Sequence, residues 1–160
     1  MERLARMSTK AIPDGYHTIT PYLNVRNGAA ALDFYERAFG AKIYLRLDAP
    51  DGRVGHAEFH IEGSAVMLSD EFPEMGAISP ETLGGVASSL MIYLENVDAR
   101  FAQAIAAGAT VERPVKDQFY GDRSGTLKDP FGHRWTLATH VEDIAPDEMG
   151  RRAAAAMSGM

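Results

Sequence analysis

The sequence predicts an α+β fold made of two βαβββ modules that form a curved mixed β-sheet around a concave cavity. Three observations carry that prediction. A strand pattern followed by a helix occurs twice, with Leu23-Asn-Val25 matching Ile92-Tyr-Leu94. Gly40-Ala-Lys-Ile43, after the first helix, matches Gly108-Ala-Thr-Val111 after the second. Two stretches also alternate after a turn: His56 to Ile61 follows Asp51-Gly52, and His133 to Thr139 follows Asp129-Pro130-Phe131-Gly132. On this plan His56–His60 is matched to Arg134–Ala138. One module alone leaves a sheet face bare, whereas two side by side put helices on the convex side and a cavity on the concave side. Function is expected between the copies.

The elements follow in chain order. Residues 1–14 read as a flexible arm ending at Pro13-Asp14-Gly15. A single domain spans 15–141, with modules at about 16–70 and 87–141. In the first module a strand is expected over His17–Val25, with Ile19, Leu23 and Val25 on one face. Asn27 caps a helix over Gly28–Phe39 whose apolar stripe is Leu32, Tyr35 and Phe39, and Gly40 ends it. Strands follow at 41–48, 54–62 and 65–69. The stretch 70–86, with its prolines and glycines, reads as a connection between modules. The second module restarts with a strand over Ser88–Glu95 and a helix from Asn96 or Asp98 to Ala107. A strand over Thr110–Pro114, a long loop and a closing pair over Arg123–Leu127 and His133–His140 complete it. Trp135 shares a face with Leu137 and is expected in the core. His133 is expected at the surface. The tail at 142–160 is either a short exposed helix or disordered chain.

Composition narrows the function classes. The chain has 160 residues, 46% hydrophobic and 24% charged, which suits an ordinary globular domain. Sixteen basic against 22 acidic residues give a net charge of −6, which argues against nucleic acid or an anionic membrane as partner. Without cysteine there is no disulfide, thiolate nucleophile or Cys-ligated zinc. No apolar run approaches membrane-spanning length, and the N-terminus has no apolar signal core. A cytoplasmic protein is expected. P-loop, GxGxxG and G-x-S-x-G motifs are absent.

Five segments carry a resemblance to a known family: Pro21-Tyr-Leu-Asn-Val25, Asp33-Phe-Tyr-Glu-Arg-Ala-Phe-Gly-Ala41, His56-Ala-Glu58, Tyr120-Gly-Asp-Arg123 and Asp129-Pro-Phe-Gly-His-Arg-Trp135. Over about residues 16–140 the chain resembles the vicinal oxygen chelate (VOC) superfamily of glyoxalase I, extradiol dioxygenases, and fosfomycin and bleomycin resistance proteins. Within it the chain is similar to the PhnB-like branch. The resemblance implies the glyoxalase/bleomycin resistance/dihydroxybiphenyl dioxygenase fold. It also implies, for metal-dependent members, one His or Glu ligand from each of four strands. Those positions fall at Thr20, Glu58, Ser89 and Thr136. Three neutral hydroxyls and one carboxylate are a poor set for a divalent transition metal, so no cofactor is expected. A displaced divalent-metal site would use His56, Glu58 and His60, with His140 as a further donor. Same-face neighbours on a strand lie about 7 Å apart and do not converge unaided.

With the strands in phase, the expected ligand-binding residues are Thr20, Tyr22, Ser89, Met91, Tyr93, Arg134 and Thr136, joined by Tyr120 and Arg123 from a glycine-hinged loop. Glu58 is the candidate base, with a pKa raised by desolvation and tuned by His56. Arg134 either pairs with Glu58 or binds an anionic ligand. The resulting expectation is a metal-independent protein that binds a small molecule, as a homodimer. The alternative is a lyase or isomerase of glyoxalase type that uses Glu58 as base or a displaced metal.

Overall fold

A computed structural model describes residues 9–160 of the chain. The expected N-terminal arm lies outside the described residues up to residue 8. From residue 9 to residue 14 the chain is exposed and irregular, with Lys10 paired to Asp14 at 2.6 Å.

In the first module β1 (Tyr22–Val25) leads to α1 (Gly28–Phe39), then to β2 (Lys42–Asp48), β3 (Val54–Ile61) and β4 (Ser64–Asp70). The second module repeats this with β5 (Ser89–Tyr93), α3 (Val97–Ala107), β6 (Thr110–Asp117), β7 (Asp122–Lys128) and β8 (Arg134–His140). A 3₁₀ turn (Pro73–Met75) and a one-turn helix α2 (Pro80–Leu83) connect them, and α4 (Pro146–Met157) follows. The tail is thus helical over α4, with no buried residue. The strands hydrogen-bond as two four-stranded sheets, ordered β1-β4-β3-β2 and β5-β8-β7-β6. In each sheet the first strand runs parallel to the last, and the remaining pairs are antiparallel.

Local chemistry accounts for the boundaries. Asn27 and Asn96 each cap a helix, accepting from Ala30 N and Ala99 N at 3.1 Å. Gly40 closes α1 in the left-handed region at φ 67°. β1 starts at Tyr22 rather than His17, because Pro21 has no N–H for the ladder and only its carbonyl pairs, with Met67 N at 2.9 Å. The expected long loop before the closing pair shrinks to residues 118–121, since β6 continues through Pro114 to Asp117 as an edge strand.

The two sheets place equivalent strands at equivalent positions, and this corrects the repeat. By sheet order β3 corresponds to β7, and β8 to β4. The row Tyr22–Met67–Glu58–Leu45 across the first sheet therefore matches Met91–Thr136–Thr126–Arg113 across the second. The counterpart of Glu58 is Thr126. The expected match of His56–His60 to Arg134–Ala138 reflects a shared alternation, which any half-buried strand shows.

The modules meet back to back. α1 packs on α3, and among the described residues no strand of one sheet neighbours a strand of the other. Both helix-facing sheet surfaces share one core with Tyr35, Phe39, Phe59, Leu127 and Leu137, and Trp135 is 2% exposed within it. At its centre the buried carboxylate of Asp129 accepts four hydrogen bonds. Oδ2 takes Tyr35 Oη at 2.6 Å and Trp135 Nε1 at 2.9 Å. Oδ1 takes the amides of Phe131 and His133 at 2.9 and 3.0 Å. His133, expected at the surface, is half-buried and reaches back to the Asn24 carbonyl at 3.0 Å. The turn brings it onto the first module.

Asp129→Ala removes the acceptor of two buried side-chain donors and two amides. It should cost about 3–5 kcal/mol in urea unfolding, with Tyr35→Phe costing about 1–2 kcal/mol because only one donor is lost and Trp135 still fills the same Asp129 oxygen.

Candidate functional site

Because helices cover one face of each sheet, the other face is open. On β3 the odd positions Ala57, Phe59 and Ile61 are buried, and the even positions His56, Glu58 and His60 line the open face. Tyr22 and Asn24 of β1 and Met67 of β4 join them through the register. A β-bulge at Tyr44 shifts β2 by one residue, so Ile43 sits opposite Phe59 on the core side but Leu45 and Leu47 sit opposite Glu58 and His56. The bulge thus turns two leucines onto the open face. Nothing in the residues of β2 marks where it falls.

A chain of hydrogen bonds runs over this face. Tyr22 Oη lies 2.9 Å from His56 Nδ1, and His56 Nε2 lies 3.1 Å from Glu58 Oε1. The second Glu58 oxygen accepts from Tyr16 Oη. Tyr16 enters because Gly15, at φ 83°, turns the chain after Pro13-Asp14. The His60 ring packs 4.3 Å from Tyr44 and 6.0 Å from Tyr16. The Tyr16 and His56 hydrogen bonds hold the Glu58 carboxyl below its ordinary value, overriding desolvation. Desolvation and the Glu58 carboxylate push the Tyr16 phenol up to about 12. The expected raised pKa of Glu58 is therefore reversed, because donors reach both of its oxygens.

The second open face is hydroxylic and cationic. Thr126 and Thr136 share a hydrogen bond at 2.9 Å on the floor of a groove of about 500 Å³. Arg113, Lys116, Ser124 and Tyr120 border it. The side chains of Arg113 and Lys116 form no hydrogen bond or ion pair among the described residues, although the charge of Arg113 reaches Glu112. Arg134 pairs with Glu112 at 2.5 Å and not with Glu58. Arg123 turns to the helix side of β7, where Asp98 holds it at 2.7 Å and Asp117 at 3.2 Å. It leaves the expected loop site, while Tyr120 stays, 3.4 Å from Ser124 Oγ. Tyr93 donates to buried Asp122 at 2.8 Å, and His140 bridges Asp122 and Asp143 at 2.8 and 2.7 Å.

The expected site residues do not share one cavity. Tyr22, His56 and Glu58 stand together on the first face, and Arg134 and Thr136 on the second. Thr20, Met91 and Tyr93 border a third space of about 410 Å³ with His17, Leu90 and Trp135. Ser89 opens β5 opposite Arg134. Within one protomer the four positions implied for a metal are thus not gathered, and the one carboxylate among them is already hydrogen-bonded. That set does not fit a resident divalent metal. Nor do His56, Glu58 and His60 converge: among the described residues no three His, Cys, Asp or Glu side chains are grouped to hold a metal. His140 is engaged elsewhere. The residues that sequence reasoning missed are Tyr16, Leu45, Leu47, Arg113 and Lys116.

Glu58 titrates lower in the fold than its ordinary 4.5, so its contribution to stability is fully present above that value and lost as pH falls through the folded pKa. Tyr16→Phe removes the largest cause of the shift. It should raise the Glu58 carboxyl titration, read by carboxyl-carbon NMR, and flatten the loss of stability on the acid side.

Comparisons with known proteins agree with this geometry. Residues 15–137 match the family model of the Glyoxalase/Bleomycin resistance protein/Dioxygenase superfamily. The uncharacterized protein Mb0911c of Mycobacterium bovis is 41% identical over 134 residues, covering 82% of this chain and 88% of its own. Protein YjdN of Escherichia coli is 24% identical over 140 residues, covering 74% of this chain and 92% of its own. Among solved structures, TioX from a Micromonospora species superposes with a TM-score of 0.62 at 27% identity, covering 78% of this chain and 99% of that one. A PhnB protein from Bacillus cereus shares the fold with a TM-score of 0.60 at 24% identity, covering 77% of this chain and 99% of that one. No helix among the described residues is long and apolar enough to cross a membrane. With two βαβββ modules, an open face on each sheet and a family match over most of its length, the chain belongs to the glyoxalase/bleomycin resistance protein/dioxygenase superfamily.

Proposed function

We propose that the protein binds a flat, anionic small molecule on its open sheet faces and does so without a resident metal. The observation that carries this is the row Tyr22–Met67–Glu58–Leu45, an aromatic and apolar strip with one fixed carboxylate in it. Aromatic and aliphatic walls with a few directed polar groups are the chemistry of small-molecule sites. Tyr44, His60 and Tyr22 supply flat surfaces for stacking. Arg113 and Lys116, over hydroxyls, supply positive charge for the anionic part. Glu58 is an anchor in this reading: a carboxyl held ionised by two donors is a weaker base than a desolvated one, which counts against glyoxalase-type chemistry with Glu58 as base.

A homodimer is part of the proposal. β1 and β5 are edge strands with one unpaired side each. Neither is shielded by charge: Tyr22, Met91 and Tyr93 are large and exposed there. Edges of that kind favour pairing with another chain. In a second copy, β1 of one protomer and β5 of its partner would bring the two kinds of open face together, with aromatic residues and Glu58 opposite the cationic groove.

Titrating ¹⁵N-labelled protein with 2-naphthoate, a flat aromatic anion, should give saturable shifts on the open faces, at Leu45, His56, Arg113 and Thr126. Shifts confined to the helices, or none, would count against the reading. Sedimentation equilibrium should give twice the protomer mass of 17.4 kDa, reduced to one protomer by Met91→Glu.

A further inference from the structure

The chain of hydrogen bonds on the first open face has a direction. A carboxylate only accepts, and Glu58 is kept ionised by the phenol of Tyr16 and the ring of His56. His56 Nε2 must then carry the proton that faces Glu58 Oε1 at 3.1 Å. In a neutral imidazole the other nitrogen is bare, so Nδ1 is an acceptor, and it lies 2.9 Å from Tyr22 Oη. The Tyr22 O–H points at a base, and its oxygen lone pairs are left for the open face, where Tyr22 is 48% exposed. This is a hydroxyl, a base and an orienting carboxylate in series, the general arrangement that activates a weak hydroxyl.

We infer that Tyr22, His56 and Glu58 form a proton-transfer relay in which Tyr22 meets the ligand, His56 is its base and Glu58 is a positioning residue. Glu58 itself meets no ligand proton, because Tyr16 and His56 cover its oxygens. The relay suits a proton donor whose acidity is near that of a phenol, about 10. That describes a flat compound bearing a phenolic or enolic hydroxyl, which also matches the aromatic wall of Tyr44, His60 and Tyr22. In the step, the ligand O–H gives its proton to Tyr22 Oη while the Tyr22 proton passes to His56 Nδ1. The products are a ligand anion, a neutral tyrosine and an imidazolium held by the Glu58 carboxylate. No metal, oxidant or second substrate is needed. The relay goes beyond binding and does not depend on it, since the reactivity of Tyr22 can be read without the natural ligand.

The probe is N-acetylimidazole. The phenol oxygen takes the acetyl group as its proton passes to His56, and the His56 imidazolium hands that proton to the departing ring nitrogen, so neutral imidazole leaves and His56 is neutral again. Peptide mapping by mass spectrometry follows each tyrosine. Tyr44 is the internal reference, being 66% exposed and without a hydrogen bond among the described residues. Tyr22 should acetylate at least about tenfold faster than Tyr44, a modest share of what general-base assistance supplies. His56→Asn should bring Tyr22 to within about twofold of Tyr44. Tyr35, fully buried in the core, should stay unacetylated and so reports that the variant is folded. In ¹⁵N NMR of the side chain, His56 should show a bare Nδ1 and a protonated Nε2, and Glu58→Ala should mix the two tautomers. A Tyr22 no faster than Tyr44, a rate unmoved by His56→Asn, or a bare Nε2 in the parent protein would each overturn the relay.

Discussion

The structure depends on one buried carboxylate. Among the described residues no cation pairs with Asp129, which is kept by four donors drawn from both modules: the phenol of Tyr35, the indole of Trp135 and the amides of Phe131 and His133. A buried charge is tolerable only when its lone pairs are filled. The four donors therefore fix each other: the Asp129–Gly132 turn, the Trp135 rotamer and the pitch of α1 must all agree. Burial and the Asp129 charge drive the Tyr35 phenol well above its ordinary value, so it remains a donor. Gly132, at φ 93°, closes the turn where a Cβ would meet Pro80 Cβ at 2.8 Å, tying the junction to the connecting helix as well.

That junction decides which faces work. Joining the modules through α1 and α3 uses up the helix side of each sheet and leaves the opposite sides, with the outer edges of β1 and β5, open. The same architecture then carries two different chemistries. The first face gathers tyrosines, histidines, leucines and one carboxylate. The second gathers hydroxyls and cations. Equivalent bulges occur in both, at Tyr44 in β2 and Glu112 in β6, and each resets which residues reach the open face. In one case the bulge presents Leu45 and Leu47, and in the other Arg113.

Much of this was legible in the residues. The helix Gly28–Phe39 with its Asn27 cap and Gly40 stop follows from period and punctuation, and so does burial of Trp135. The duplication and the family were readable from Pro21-Tyr-Leu-Asn-Val25 and the Asp129–Trp135 segment. The charge state of Glu58 was not, because it depends on Tyr16, 42 positions away, which swings in only after the Gly15 turn. Alternation placed Arg134, and a glycine-hinged loop placed Arg123, near ligand, yet their acid partners, Glu112 and Asp98, come from elements that sequence spacing does not orient. The bulges left no sequence mark, so the shift of Leu45, Leu47 and Arg113 to the open face was invisible. His56–His60 and Arg134–Ala138 share an alternation and nothing more.

Native-state hydrogen exchange at the Asp129 turn reads out whether the buried carboxylate holds the two modules together. The amides of Phe131 and His133 lie in a short turn, where exchange is ordinarily fast, but both donate to the carboxylate that joins the modules. They should exchange among the slowest in the protein, at a rate that follows global unfolding in urea. Exchange as fast as that of the exposed segment Lys10–Asp14 would contradict that role, and the junction would then be an ordinary surface turn.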